Sequence, residues 1–331
     1  MSDSLLGLPL PDAGLEAALT AGLAEVEKEL RVAVASEDQF VADASRYLVE
    51  AGGKRFRPLL VLLASHFGDP NAWGVVPAGV VVELTHLATL YHDDVMDEAQ
   101  LRRGTPSANS RWDNTIAILT GDFLFARSSG ILADLGPEAV RIQAHTFERL
   151  CTGQIRETVG PRPGQDPVEH HLEVVADKTG SLIAASGRYG ALMSGASPEV
   201  VEIMTQFGER IGVAFQLADD LVDITSESMQ SGKTPGTDLR EGVPTLAGLL
   251  ALTSTEPADA RLQSLLGRPL PDDAEHAEAL ALLRAHPAID EARAQAHLWS
   301  EQARACLAPL PSGPAREVLE LLCDYVVSRT G

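Results

Sequence analysis

The sequence predicts an all-α protein, a single large helical domain over residues 1–331. Apolar residues recur at three- and four-residue spacing along most of the chain, as the buried faces of amphipathic helices require. Apolar residues make up 45% of the sequence and charged residues 22%, which is enough to build a large core. The breaks carry Gly and Pro, and no linker is long or polar enough to separate two domains.

Helical patterns follow one another along the whole chain. The Val-rich segment GVVVEL has strand-like composition but continues into HLATLYHDDVMDEAQ without turn residues, which favours a helix. Residues 254–312 match no motif and are interpreted as structural helices and loops. The helical patterns cover residues 13–35, 58–67, 76–100, 114–133, 137–158, 168–193, 198–228, 243–253, 276–284, 288–307 and 313–328.

The charge balance excludes several classes of partner. Lys and Arg total 26 against 47 Asp and Glu, a net charge of −21, which argues against nucleic acid and anionic membrane surfaces as partners.

The N-terminal residues lack the basic and apolar regions of a secretory signal, and no apolar run approaches the ~18 residues of a membrane span. Three scattered cysteines suit a reduced compartment. We expect a cytoplasmic protein with no stable membrane insertion.

Two aspartate arrays are the strongest chemical signal. Asp93, Asp94 and Asp97 form a D-D-x-x-D array in LYHDDVMDEAQ, and LADDLVDI repeats it with Asp219, Asp220 and Asp223. On a helix these three positions share a face. Both arrays lie within apolar helical runs, where carboxylates are costly unless they are paired or bound to metal. Oxygen ligands of this kind suit Mg²⁺, which bridges readily to substrate phosphates.

Cations follow each array and a glycine pair. Arg102 and Arg103 come after the first array, and Lys233 follows the second in SGKTPGTD. GGKRFRP presents further cations beside glycine and a proline that can open a helix, a setting that favours anion binding. We expect its Arg55 to be a solvated surface cation. The grouping predicts two diphosphates, one bound through metal and one bound directly by Lys and Arg.

These residues resemble the trans-isoprenyl diphosphate synthases, also called polyprenyl synthetases. The similar segments span about residues 40–250 in the family's order, and together they are highly specific. They are GGKRFRP (52–58), ELTHLATLYHDDVMDEAQLRRG (83–104), GDFLFA (121–126), DKTGSL (177–182), FQLADDLVDI (215–224) and GKTPGTDLREGVPTL (232–246), with CDYVVSR (323–329) near the C-terminus.

The resemblance implies the isoprenoid synthase fold, a helical bundle around a deep central cavity, in a homodimer. It implies head-to-tail condensation of an allylic diphosphate with isopentenyl diphosphate, with three Mg²⁺ ions present when substrate is bound. The metal ligands would be Asp93, Asp97, Asp219 and Asp223, supported by Asp94 and Asp220. Arg102 and Lys233 would bind the allylic diphosphate. Lys54, Arg57, His86 and Arg103 would bind isopentenyl diphosphate, and Lys178, Thr179 and Gln216 would line the path of the allylic carbocation.

The resemblance also bears on affinity and product length. Val243 stands where many family members have Lys, which implies a weaker hold on the allylic diphosphate. Small residues precede the first array at Ala88 and Thr89, where short-chain members carry bulky aromatics. Val81, Thr85 and Ala88 share one helical face, and this stripe implies a product of geranylgeranyl length or longer. The alternative is that Phe123, Phe125 or a residue of another helix closes the floor of the pocket.

Three other functions stay open at this point. A short-chain farnesyl diphosphate synthase would share every motif. A terpene cyclase also uses acidic helical arrays with Mg²⁺, but the cations assigned to isopentenyl diphosphate argue against it. A non-catalytic subunit of a heteromeric prenyl synthase would be expected to have lost acids from the arrays, whereas all six are present.

Overall fold

The structure is a computed structural model that describes residues 10, 12–226 and 235–328, and within these residues the protein is all-helical, as predicted. The helices are α1 (Ala13–Ala33), α2 (Gln39–Glu50), α3 (Phe56–Ser65), α4 (Val75–Met96), α5 (Ala108–Arg111), α6 (Asn114–Leu135), α7 (Pro137–Val159), α8 (Pro167–Val175), α9 (Ser181–Met193), α10 (Pro198–Thr225), α11 (Thr237–Glu241), α12 (Leu246–Leu252), α13 (Ala260–Leu265), α14 (Asp273–Ala285), α15 (Ala288–Cys306) and α16 (Pro314–Ser328).

Three shorter elements interrupt this pattern. A π-helical turn, Ala176–Gly180, joins α8 to α9, and a 3₁₀ turn, Pro257–Asp259, precedes α13. Strands β1 (Leu101–Arg102) and β2 (Thr105–Pro106) form a small antiparallel hairpin after α4. Aspartate side chains accept hydrogen bonds from the first-turn amides of five helices, as N-caps do; they are Asp12, Asp38, Asp113, Asp166 and Asp272.

The chain divides into two compact units. The first contains the described residues up to Phe147, Leu182–Gly208 and Pro309–Leu319. The second contains Glu148–Ser181, Glu209–Ala308 and the described residues from Glu320 onward.

The core of the first unit centres on α4. This helix packs along α6 and against α1 and α3. Its side chains Leu84, Leu87 and Tyr91 are fully buried, and the Tyr91 hydroxyl donates to the carbonyl of Ala44 at 2.5 Å. Gly121 lets α6 approach α4, because a Cβ at this position would lie 2.3 Å from Nε2 of His92.

The second unit has a separate core. Its largest buried side chains come from α10 and from the short helices that follow, where α12 packs against α8 and α15. Leu217, Leu221 and Ile224 of α10 belong to this core. The same helix carries aspartates in between, so one helix provides both core side chains and acidic groups.

One described helix has the length and hydropathy of a membrane span. This is α6 (Asn114–Leu135), and about a third of its most apolar window is buried. A core helix of a water-soluble protein has the same length and hydropathy, so the feature is weak evidence for membrane insertion.

Candidate active site

The first aspartate array lies where α4 ends. Asp93 and Asp94 occupy the last turn, and Asp97 is the C-cap residue, whose N–H donates to the carbonyl of Asp93 at 2.8 Å. Asp94 is fully buried, whereas Asp93 is half-buried and Asp97 is exposed. The array therefore has one carboxylate turned into the protein and two that are accessible to a ligand.

The buried member of the array holds an arginine of the hairpin. Nε of Arg102 donates to Oδ1 of Asp94 at 2.6 Å, and Oδ2 of Asp94 is buried without a hydrogen-bond partner. Burial raises the pKa of Asp94, and the charge of Arg102 opposes this rise. The buried carboxylate of Asp94 and the two accessible carboxylates of the array provide oxygen ligands of the kind that bind a hard divalent cation.

The four residues predicted to bind isopentenyl diphosphate lie in the first unit and are called the cation cluster: Lys54, Arg57, His86 and Arg103. Lys54 is exposed, and burial lowers the pKa of Arg57 to about 10, an effect to which the charge of Arg103 adds. Burial, followed by the charges of Arg57 and Arg103, holds the pKa of His86 well below its usual range. Nε of Arg57 is buried without a hydrogen-bond partner. Two arginines whose charges disfavour each other, beside a neutral histidine and with one N–H donor unused, suit an anionic ligand.

Arg55 differs from the sequence expectation. It is only 7% exposed, so the prediction of a solvated cation is wrong. Its guanidinium donates to Glu27, to Oε1 of Glu83 at 2.6 Å and to the carbonyl of Val49 at 2.9 Å. These acids lie 28 residues away on either side, so no helical spacing in the sequence points to the pairing.

The second aspartate array lies in the last turns of α10. Asp219 is exposed, Asp223 is half-buried and Asp220 is 9% exposed. Burial, followed by the charge of Asp238, raises the pKa of Asp220 well above its usual range. Oδ2 of Asp223 accepts the N–H of Asp238 at 3.2 Å. As in the first array, the middle aspartate faces the protein and the outer two are more accessible.

His171 is a neighbour of this array that the sequence did not indicate. Its Nε2 lies 3.9 Å from Oδ2 of Asp220 and is buried without a hydrogen-bond partner. Burial lowers the pKa of His171 to about 4, so the ring is neutral near pH 7. No local motif marks it, because Asp220 is far away in the chain.

The π-helical turn presents Lys178 and Thr179. In this turn the N–H of Ser181 donates to the carbonyl of Ala176, five residues earlier. The Thr179 hydroxyl donates to Oε1 of Gln216 at 2.9 Å, and Nε2 of Gln216 donates to Oδ1 of Asp220 at 2.8 Å. The structure thus joins three predicted residues, Thr179, Gln216 and Asp220, in one hydrogen-bonded chain. π-helical turns occur frequently at functional sites.

One face of α7 supports this turn. Arg149 donates to Oδ1 of Asp177 at 2.8 Å and to Oε2 of Glu209 at 2.9 Å. Gly153 allows close approach, because a Cβ there would lie 2.9 Å from the backbone nitrogen of Lys178. No local spacing in the sequence points to Arg149, since its acidic partners lie 28 and 60 residues further along the chain.

Glu157 of the same helix contacts the ammonium of Lys178. Nζ of Lys178 donates to Oε2 of Glu157 at 2.6 Å, and both side chains remain partly accessible to solvent. The Gln154 Oε1 atom, one turn away, is buried without a hydrogen-bond partner.

The predicted chain-length stripe is covered by neighbouring side chains. Val81, Thr85 and Ala88 are fully buried, and Ala88 packs in the core of the first unit. The Thr85 hydroxyl donates to the carbonyl of Val81 at 2.8 Å and accepts Nε2 of Gln143 at 2.9 Å. Of the four predicted residues only Thr89 is half-buried.

An aromatic pair includes Phe125, which packs against the core cluster that contains Ala88. The rings of Phe125 and Phe147 have centroids 4.3 Å apart, and His92 lies 5.9 Å from Phe125. Phe125 is one of the residues that the sequence offered as an alternative floor, whereas Phe147 carried no signal in the sequence.

Two predicted features concern the segment after the second array. Lys233 lies outside the described residues. Val243 is partly exposed, and its N–H donates to the carbonyl of Asp238 at 2.8 Å. The weaker allylic affinity expected from Val243 stays a prediction.

Comparisons with known proteins agree on one family. The family model for polyprenyl synthetase matches residues 38–283. The chain is 52% identical over 326 residues to the nonaprenyl diphosphate synthase of Mycobacterium tuberculosis, covering 98% of this chain and 97% of that protein. It is 42% identical over 308 residues to a dimethylallyltranstransferase of the same organism, covering 93% and 94% of the two chains.

A solved structure matches the fold as well. The geranylgeranyl pyrophosphate synthase from Corynebacterium glutamicum, complexed with calcium and isoprenyl diphosphate, superposes with a TM-score of 0.88 at 44% identity. The superposition covers 98% of this chain and 100% of that chain. The isoprenoid synthase fold implied by the sequence resemblance is therefore confirmed.

The pKa of His86 predicts how stability depends on pH. The pKa of His86 in the folded protein lies below the ordinary 6.5. The contribution of the neutral ring to the free energy of unfolding is therefore fully present above pH 6.5. It is lost as the pH falls, because the unfolded chain takes up a proton that the folded protein does not. We expect His86→Gln to flatten the fall in the free energy of unfolding between pH 6.5 and 5, by up to about 1.4 kcal/mol per pH unit. Urea unfolding across this range measures it, and equal slopes in both proteins would contradict it.

Proposed function

The chain belongs to the polyprenyl synthetase family of trans-isoprenyl diphosphate synthases, and we propose that its cation cluster in the first unit binds isopentenyl diphosphate. It is a chain-elongating prenyl diphosphate synthase, a prenyltransferase whose family substrates are isopentenyl diphosphate and allylic diphosphates. The observations that carry the proposal are the effect of the Arg103 charge on Arg57, the effect of both arginine charges on His86, and the unused Nε donor of Arg57. Lys54 completes this proposed site.

The allylic diphosphate is proposed to bind at the two aspartate arrays. Enzymes of this family use divalent metals, and the accessible carboxylates Asp93, Asp97, Asp219 and Asp223 would hold three Mg²⁺ ions with substrate present. When bound, Mg²⁺ offsets the charge that develops on a leaving diphosphate. Asp94 and Asp220 would support the ligands from the protein side, and Arg102 and Lys233 would contact the diphosphate itself.

The condensation proposed here breaks an allylic carbon–oxygen bond and a carbon–hydrogen bond, and it forms a carbon–carbon bond and an oxygen–hydrogen bond. The allylic carbon–oxygen bond breaks, and its electron pair leaves with the diphosphate. The double bond of isopentenyl diphosphate then attacks the allylic carbocation, forming the new carbon–carbon bond, and the departing diphosphate accepts the proton that is lost. No protein nucleophile is needed.

The carbocation needs fixed dipoles and a dry environment. The Thr179 hydroxyl and the Gln216 amide are already oriented by their mutual hydrogen bond, so they need no reorganisation during the reaction. Lys178 is presented by the same π-helical turn. These three residues are proposed to line the path of the carbocation.

We propose a product of geranylgeranyl length or longer. Thr89, in the turn before Asp93, is small and half-buried, so no aromatic side chain of this helix blocks growth at that depth. The nonaprenyl and geranylgeranyl synthases among the relatives support the same range.

A homodimer is proposed from the exposed face of α6. Ile118 is 42% exposed and Leu119 is 57% exposed, on a helix that is apolar enough to span a membrane. Exposed apolar patches of this kind mark interaction surfaces. A second copy of the chain would cover these apolar side chains. The enzyme is proposed to be cytoplasmic and to bind neither nucleic acid nor membranes stably.

The decisive assay uses purified protein with farnesyl diphosphate, isopentenyl diphosphate and Mg²⁺. We expect elongated prenyl diphosphates of geranylgeranyl length or longer, and no turnover after chelation. Asp93→Asn and Asp219→Asn should each lower kcat by about 100-fold or more, because charge on the leaving group loses stabilisation. Asp43→Asn, an exposed aspartate of α2, is the matched control.

The products of that assay separate the alternatives. A cyclic hydrocarbon would identify a terpene cyclase. Farnesyl diphosphate that is not elongated, but is made as the end product when the assay is repeated with a shorter allylic starter, would identify a short-chain enzyme. Inactivity that a second, different chain relieves would identify a subunit of a heteromeric synthase.

Thr89→Phe should shorten the product. The ring would enter the half-buried space one turn before Asp93, while the fold should tolerate the change. Ala88→Phe is the comparison, because overpacking the core at this fully buried position should cost about 1–3 kcal/mol of stability. Chromatography of products and thermal melts distinguish the two variants. An unchanged product length in Thr89→Phe would remove Thr89 from the pocket.

Leu119→Glu should disrupt the proposed dimer. Placing a charge in an apolar contact should raise the dissociation constant by about 30-fold or more. Analytical ultracentrifugation measures this, with Leu298→Glu as the control, since Leu298 is similarly exposed on α15. Identical sedimentation of the two variants would exclude α6 from the interface.

A further inference from the structure

Arg55 stands in the chain between Lys54 and Arg57 of the cation cluster, yet its guanidinium is closed to ligands. Its Nε donates to Glu27, one terminal nitrogen donates to Glu83 and to the carbonyl of Gly52, and the other donates to the carbonyl of Val49. A guanidinium has five N–H donors in a rigid fork, and most of them are used here within the protein. A diphosphate would have to break these bonds to reach Arg55.

The partners of Arg55 also define the surroundings of Arg103. Arg103 donates to the carbonyl of Gly52, the same oxygen that accepts from Arg55, and to the carbonyl of Leu48 at 3.1 Å. A Cβ at Gly53 would lie 3.0 Å from the guanidinium carbon of Arg103, so the glycine turn packs directly on that side chain. Any shift of Gly52 therefore moves a hydrogen-bond acceptor of Arg103.

Glu83, the acid that pairs with Arg55, also acts on the arginines of the proposed site. Glu83 is 2% exposed and precedes His86 by three residues on α4, so the two side chains lie on one side of the helix. Its charge raises the pKa of Arg57 and of Arg103, against the effect of burial. Glu83 thus connects Arg55 electrostatically with both arginines of the proposed site.

The backbone of Arg55 is also held in an uncommon conformation. Its φ of 49° lies in the left-handed region, which costs a non-glycine residue about 1 kcal/mol. The residue stands immediately before α3, whose first turn contains Arg57. Strain of this kind persists where surrounding contacts determine the conformation, and the four acceptors around the Arg55 guanidinium supply such contacts.

We propose that Arg55 is a positioning residue for diphosphate binding, acting through the Gly52 carbonyl on Arg103 and through the start of α3 on Arg57. This inference rests on the proposed function of the cation cluster. Arg55 itself would not touch the substrate, and Glu83 would fix its guanidinium.

The first test is Arg55→Lys, which keeps the charge but cannot form the fork. We expect the KM for isopentenyl diphosphate to rise by about tenfold or more, since small misplacements of binding groups are costly. The allylic KM and kcat at saturation should stay within about twofold. Arg31→Lys is the matched control, because Arg31 also approaches Glu27, at 3.6 Å, but is exposed.

A second variant guards against loss of folding. Arg55→Met combined with Glu83→Gln removes both charges, so neither is left buried without a partner. It should fold, as judged by circular dichroism, and should show the same selective rise in the KM for isopentenyl diphosphate. A rise in both KM values together, or none, would overturn the inference.

A double-mutant cycle tests the route of the effect. In an Arg103→Met background, Arg55→Lys should raise the KM for isopentenyl diphosphate by a smaller factor than it does in the wild-type background, because one of the two residues that it positions is gone. Full additivity would contradict action through Arg103. If Arg57→Met and Arg103→Met themselves leave this KM unchanged, the proposed substrate site is wrong, which is a separate failure from that of Arg55.

Discussion

Two buried carboxylates on α4 determine where the cationic loops of the first unit lie. Glu83 holds Arg55 of the glycine-rich loop, and Asp94 holds Arg102 of the hairpin. A buried carboxylate without a partner would be strongly destabilising, so each loop is drawn to the helix by its arginine. Once the loops are fixed in this way, their neighbouring cations, Arg57 and Arg103, are brought near His86, and the charge of Glu83 acts on both arginines.

In the second unit the central charge is positive and its partners are acids. Here a partly buried arginine, Arg149, is held by Asp177 and Glu209, and the acid Asp177 belongs to the π-helical turn. The ion pairs fix the backbone of the turn from one side, and Gly153 lets α7 pack closely on it. Of the side chains in this turn that the sequence predicts to act in the site, Lys178 pairs with Glu157 and Thr179 is oriented by its hydrogen bond to Gln216.

The sequence predicts those features that depend on local spacing. The ends of α6, α7 and α15 lie within two residues of the predicted patterns, because a buried helical face repeats every 3.6 residues. The π-helical turn inside the pattern 168–193 was not visible, since one widened turn barely changes that period. The burial of Arg55 was missed for a different reason, because its partners are distant in sequence. The aspartate arrays were identified because each is complete within five residues.

Periodicity also places residues on a face without telling what covers it. Val81, Thr85 and Ala88 do share a face, but Gln143 of α7 closes it by binding the Thr85 hydroxyl. Breaking that buried hydrogen bond costs about 1–3 kcal/mol. Burying one more five-carbon isoprene unit gains about 4 kcal/mol at ~0.8 kcal/mol per methylene. If the proposed product tail follows α4 to this depth, its growth would have to displace Gln143 from a packed core, which costs more than the hydrogen bond alone. An aromatic ring packed in the same place, which has no such bond to give up and fills the space itself, would stop it.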